Sequence, residues 1–280
     1  MGPTIDRILP TSVSALITSL PRGDSMEEQL AAAPVTEQKM SFSDKLMNVF
    51  AAPGALFEYV GQSEKDNSNW GVPLTVSMIF SILFTIVVFS QPPIQDQVTQ
   101  KNQQTIEKRV ADGKITQEQA DQAASLNFAK PGSPMFLIFG SIFVVIFNAL
   151  TLFVSALLYW LILKYGFKSA LSYMKITEVV GLSMYIGAVG AIITMIMIVV
   201  MGTMHATPGL GLLISQFDDQ NKVHKILEAC NLVTFWATAV IGIGLSKAGR
   251  VSLAKGLGTV FGVWAVWTAI SISVGSMFGG

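Results

Sequence analysis

Charge is scarce in this 280-residue chain: 13% of its residues are Asp, Glu, Lys or Arg, against about 25% in an ordinary soluble domain. Cysteine is nearly absent. The single Cys230 excludes an internal disulfide and any cysteine-built metal site. Only two histidines occur, His205 and His224, and they lack the close spacing of zinc ligands, even with Asp218 and Asp219 between them. There is no basic excess, because 18 Lys and Arg face 18 Asp and Glu; nucleic acid is therefore not an expected partner. Phosphate loops, nucleophile elbows, HExxH and Ser–His–Asp sets are all missing. No catalytic residues, cofactor or metal are expected, and the chain reads as a non-enzyme.

What fills the space is apolar sequence. Hydrophobic residues make up 51% of the chain, and its mean hydropathy is +0.54. They are bunched into blocks long enough to cross about 30 Å of hydrocarbon. Five such spans are expected: 72–90, 135–163, 179–202, 226–244 and 257–278. The second is longer than a crossing needs, so tilt or projection is expected. The fourth is the weakest, since Glu228 and Asn231 fall in its first turns.

Short loops set the orientation, because Lys and Arg are retained on the cytoplasmic side. Lys164, Lys168 and Lys175 lie between spans two and three, and Lys247, Arg250 and Lys255 between spans four and five. These loops are two spans apart, which places the N-terminus in the cytoplasm and the C-terminus outside. Segment 91–132 is long, and its charges are balanced, so it does not overturn that assignment.

Upstream of the spans, residues 1–40 are polar and broken by Ala and Pro, and are expected to form a mobile cytoplasmic segment. Residues 41–71 read as short amphipathic helices: Ser41 with Asp44 fits a capping box, and Phe42, Leu46, Val49 and Phe50 recur at helical spacing. They lie either in the membrane interface or on the helix bundle. Segment 91–132 reads as a helical hairpin outside the membrane. Ile94, Val98, Ile106 and Val110 form a thin apolar stripe, Asp112-Gly113-Lys114 a turn, and Thr116 with Gln119 a second capping box. The turn resembles part of a calcium loop, but Lys108, Val110 and Gln119 stand where carboxylates are needed.

Polar residues in the spans are the candidate sites. Asn148, Thr151 and Ser155 share one face of span two, either for hydrogen bonds across helices or to line a solute path. Gly187, with Ser183 and Ala191, and the pair Gly258 and Gly262 are small residues suited to helix packing. Glu178 and Glu228 are costly near hydrocarbon unless paired. Each has a lysine three residues upstream, Lys175 and Lys225, so a boundary ion pair is expected for both. Asn231 lies three residues beyond Glu228.

Four stretches resemble the YIP (Ypt-interacting-protein) domain family. They are KLMNVFAAPGALFEYV, NWGVPL, the run FDDQNKVHKILEACNLVTFWATAVIGIGLSKAGRVSLAKG, and VFGVWAVW. The chain is accordingly identified as a bacterial member. The resemblance implies an all-α, five-span membrane protein of a bacterial inner (plasma) membrane, with its N-terminus inside. The DLYGP-type sequence of eukaryotic members is absent, so their GTPase binding and trafficking role are not carried over. Two functions remain open from sequence: a scaffold or adaptor that organises the membrane, and a small-solute transporter or channel using the span-two face. The expected partners are the lipid bilayer, proteins at the amphipathic segment, and a second copy of the chain.

Overall fold

The structure is a computed structural model that describes residues 39–125 and 130–278. The expected 1–40 segment therefore lies almost wholly outside the described residues. Ser41–Gly280 form one compact unit.

That unit is all helical, and five of its described helices are long and apolar enough to cross a membrane. Two short helices come first, α1 (Phe42–Ala51) and α2 (Pro53–Gln62). Ser41 and Asp44 close the capping box that opens α1. Pro53 ends it, since proline cannot donate to the preceding turn, and serves instead in the first turn of α2. Span one is α3 (Ser68–Phe89), and the hairpin is α4 (Pro92–Ala111) and α5 (Gln117–Ser125). The hairpin turns at Gly113, where φ is +69°. Beyond it, Thr116 and Gln119 bond each other's backbone N–H groups, 3.0 and 3.2 Å.

Span two is α6 (Pro134–Leu161), ending in a π-helical turn at Ile162–Gly166; span three is α7 (Tyr173–Met201). A short helix α8 (Lys222–Ala229) precedes span four, α9 (Leu232–Gly249), and span five is α10 (Leu253–Phe278). The expected boundaries differ in two informative places. Span three starts earlier, because Ser172 caps it by accepting from the Lys175 N–H. Span four starts later. Asn231 caps α9 by accepting from the N–H groups of Val233 and Thr234, and the backbone of Cys230–Leu232 bonds back to Pro208 and Leu210. The chain therefore breaks between Ala229 and Leu232, and Glu228 belongs to α8.

Alternation of the spans gives the bundle two unlike ends. One carries α1, α2 and the two basic turns, which meet where Ser169 Oγ donates to the Gly249 carbonyl at 2.9 Å. The opposite end carries the hairpin and the 203–231 loop. There Val88, Ile94, Ile198 and Ala206 form a buried apolar cluster, with Val98 packed against it. The first half of the hairpin stripe thus seats on spans one and three.

Close approach, not oil-like burial, holds the spans together, because lipid tails are as apolar as leucine. A Cβ on Gly181 would lie 2.5 Å from Trp70 Cα, and one on Gly61 would lie 2.7 Å from Ala248 Cα. Gly190 meets Val233, and Gly242 meets Leu257, in the same way. Gly187, Gly258 and Gly262, the expected packing glycines, face open space within this chain. Spacing shows that small residues share a face, but the topology determines which face meets a neighbour.

Candidate functional site at the basic end

The most developed polar arrangement lies at the basic end, and Glu178 is its centre. Its side chain is 1% exposed and accepts three hydrogen bonds. Asn69 Nδ2 donates at 2.8 Å and Lys175 Nζ at 3.2 Å, both to Oε2, while the Asp66 N–H reaches Oε1 at 3.3 Å. Lys175 also donates to the Glu64 carbonyl at 2.7 Å. On the other side of Asn69, Lys45 Nζ donates to Asn69 Oδ1 at 2.7 Å and to Asp66 Oδ2 at 2.8 Å. Lys45 and Ser68 hold the Asp66 carboxyl down at about 2, against an ordinary 3.8.

Two cations and two anions thus alternate around one amide. Every member is bonded, which is the condition under which buried charge is tolerated. The network joins α1, the 63–67 loop, the start of span one and the start of span three. It has no open coordination or reactive group, so its chemistry is mechanical. The Lys175–Glu178 pair is the ion pair expected from their spacing. Lys45, Asp66 and Asn69 are not recognisable from spacing. The only local sign is Asp66-x-Ser68, where Asp66 Oδ1 caps the Ser68 N–H at 2.9 Å.

The clamp fixes α1 at a definite depth. Spans three and four run antiparallel, with Val179 against Gly244 and Val233 against Gly190. Phe42 sits edge-on to Tyr185 at 6.4 Å, and Phe50 lies 5.4 Å from Trp236. Tyr185 is six residues beyond Val179 and Trp236 eight from Gly244, about 9 and 12 Å at 1.5 Å per residue. Helix α1 therefore lies across the ends of spans three and four at the basic end, its aromatic rings reaching inward to Tyr185 and Trp236 while Lys45 stays at the Glu178 level. From there α2 climbs back along span four, with Phe57 beside Gly244 and Gly61 on Ala248. Leu56, Phe57 and Val60 are fully buried by this packing, whereas Phe42 and Met47 of α1 remain 54% and 68% exposed.

The family model for the Yip1 domain matches residues 47–275. The chain belongs to the Yip1 family. No curated protein and no solved structure matches it. The matched Yip1 domain begins within α1, so it takes in α2, spans one to four, span five as far as Gly275, and most of the clamp.

Elsewhere in the Yip1 domain the other candidates are dispersed. Asn148 Nδ2 donates to Ser81 Oγ at 3.0 Å and to the Val144 carbonyl at 2.7 Å, which ties span two to span one. Thr151 is exposed, and Ser155 Oγ turns back to the Thr151 carbonyl of its own helix at 2.5 Å. The three do not converge on one point. At the opposite end Glu228 pairs with His205, Nδ1 to Oε1 at 2.8 Å, and not with Lys225. His205 stacks on Phe217 with centroids 3.8 Å apart, and His224 lies against the same ring at 5.7 Å. Among the described residues no three His, Cys, Asp or Glu are grouped to hold a metal.

Proposed function

We propose that this Yip1-family protein is a non-enzymatic organiser of the membrane, a scaffold that holds an amphipathic helix pair in one leaflet. One observation carries this reading: α1 is clamped through Lys45 to the ends of spans one and three, with Phe42 and Met47 exposed. An amphipathic helix inserts its apolar face about 5–10 Å into the headgroup and acyl boundary. A lone helix would do so reversibly. Here the Lys45–Asp66–Asn69–Glu178–Lys175 network makes the insertion permanent, so each molecule adds wedge volume to a single leaflet.

The two basic turns meet at the same end as α1, and cations are retained in the cytoplasm. We therefore assign that end to the cytoplasmic side of a bacterial plasma membrane, with the C-terminus outside. Cysteines at Thr207 and Ser252, with Cys230 replaced by alanine, should label from opposite sides of spheroplasts. Labelling from one side would remove this orientation.

Depth tests the wedge itself. With Cys230→Ala as background, a spin label at Met47→Cys should be relaxed by oxygen and one at Ser43→Cys by a water-soluble nickel chelate. Vesicles holding wild type should also be narrower than those holding Phe42→Gln/Met47→Gln at equal protein-to-lipid ratio. A water-exposed label at position 47, or identical vesicle diameters, would overturn the proposal.

A further inference from the structure

Spans two and five do not close against each other at the basic end. Between them runs an apolar groove of about 650 Å³, lined by Leu158, Ile162, Phe167, Val263, Val266 and Ile270 among others. Gly258 and Gly262 form part of its floor, and a Cβ on either would meet nothing within 4 Å. From Lys255 to Ile270 the groove follows the helix axis for about 22 Å, the direction in which an acyl chain lies.

The mouth of the groove is cationic. Lys255 lines it, with its ammonium 5.2 Å from the Phe167 ring centroid. Lys168 follows Phe167 in the chain, and Arg250 stands in the other turn. Among the described residues none of the three has a carboxylate within ion-pair distance.

Lys168 and Arg250 have φ values of +55° and +52°, and they are the described non-glycine residues in the left-handed region. Arg250 is the C-cap of α9, where that conformation lets its N–H and that of Val251 reach the Ser246 carbonyl. Both are exposed cations of the two turns at the basic end, Lys168 next in the chain to the groove residue Phe167.

We propose that this groove binds one anionic phospholipid of the surrounding leaflet. An acyl chain occupies the Gly258–Gly262 floor, and Lys255, Arg250 and Lys168 hold the phosphate. A zwitterionic lipid would fill the groove equally well, but its choline or ethanolamine would oppose the same cations, so the site selects by headgroup charge.

The full chain in vesicles of equal phosphatidylglycerol and phosphatidylcholine tests this, with bromine on the acyl chains of one lipid at a time. Quenching assigned to Trp267 by difference from Trp267→Phe should be several-fold stronger with brominated phosphatidylglycerol. Lys255→Gln should bring the two lipids to parity. Gly258→Leu should reduce quenching by both, and the open space there leaves the fold intact. Arg250→Gly keeps the left-handed cap and removes the cation: it should leave the unfolding temperature in neutral detergent no lower while weakening the headgroup preference. Equal quenching in wild type, or a preference unchanged by Lys255→Gln and Arg250→Gly, would overturn the site.

Discussion

The two ends of the bundle each pair a glutamate with a nitrogen base, and they do it in opposite ways. At the basic end Glu178 and Lys175 are 1% and 9% exposed, and four further hydrogen bonds tie their neighbours into one network. At the other end Glu228 and His205 are 32% and 28% exposed and share one contact. Burial, not residue type, sets the consequence. A pair cut off from water must be completed by its neighbours, and it then fixes their geometry. A pair that water still reaches needs no such completion and can open at small cost.

The sharpest way to break that contrast is Glu178→Leu. It strands the Lys175 ammonium in a buried site and removes the acceptor for Asn69, so about 3–5 kcal/mol should be lost. Reversible unfolding in mixed micelles would measure it. The double change Lys175→Met/Glu178→Leu removes both charges and should recover much of the loss. If the single change is no worse than the double, the network does not hold the fold.

Gly181→Ala comes next. Its Cβ would fall 2.5 Å from Trp70 Cα, a backbone atom that cannot swing aside, and forced overpacking costs about 1–3 kcal/mol. Gly187→Ala, six residues on and with nothing within 4 Å of an added Cβ, should be neutral or stabilising by helix propensity. The same unfolding assay should rank the two unequally. Equal effects would mean that spans one and three do not meet at Gly181.

These glycines show where sequence stops informing. The five spans were legible because hydrocarbon thickness demands long uncharged runs, and both capping boxes because their partners lie three residues apart. The Lys175–Glu178 pair was legible for the same reason. Asn69 is 109 residues from Glu178, and no local rule joins them. Gly181 and Gly187 are likewise equivalent by composition, and only the neighbour behind each distinguishes them. Span four misled for a physical cause: Ile226 and Leu227 extend its apolar run, but the backbone from Cys230 to Leu232 is committed to Pro208 and Leu210.

At the opposite end Glu228→Gln should cost under about 1 kcal/mol, as half-hydrated pairs do. It should leave the unfolding midpoint within a few degrees of wild type. A loss as large as that of Glu178→Leu would erase the difference between the ends.

The smallest effect is a pH dependence confined to the rim of the basic end. The Asp66 carboxyl is held at about 2 by Lys45 and Ser68, below its usual 3.8. A depressed carboxyl contributes stability that is fully present above its unfolded value and is lost as pH falls through the folded one. The window is therefore from about pH 4 down to about pH 2. Asp66 is 42% exposed, so solvent screens the contribution and the change should be modest. Wild type should be slightly more stable than Asp66→Asn at pH 6, and the gap should close near pH 2. Since Asp66 anchors Lys45 of α1, the Met47 label should gain mobility over the same window while labels in the spans do not. Parallel loss at both positions would place α1 within the cooperative core of the bundle. Loss at Met47 alone would make the clamp's outer half a separable hinge, with the buried Glu178 half still closed.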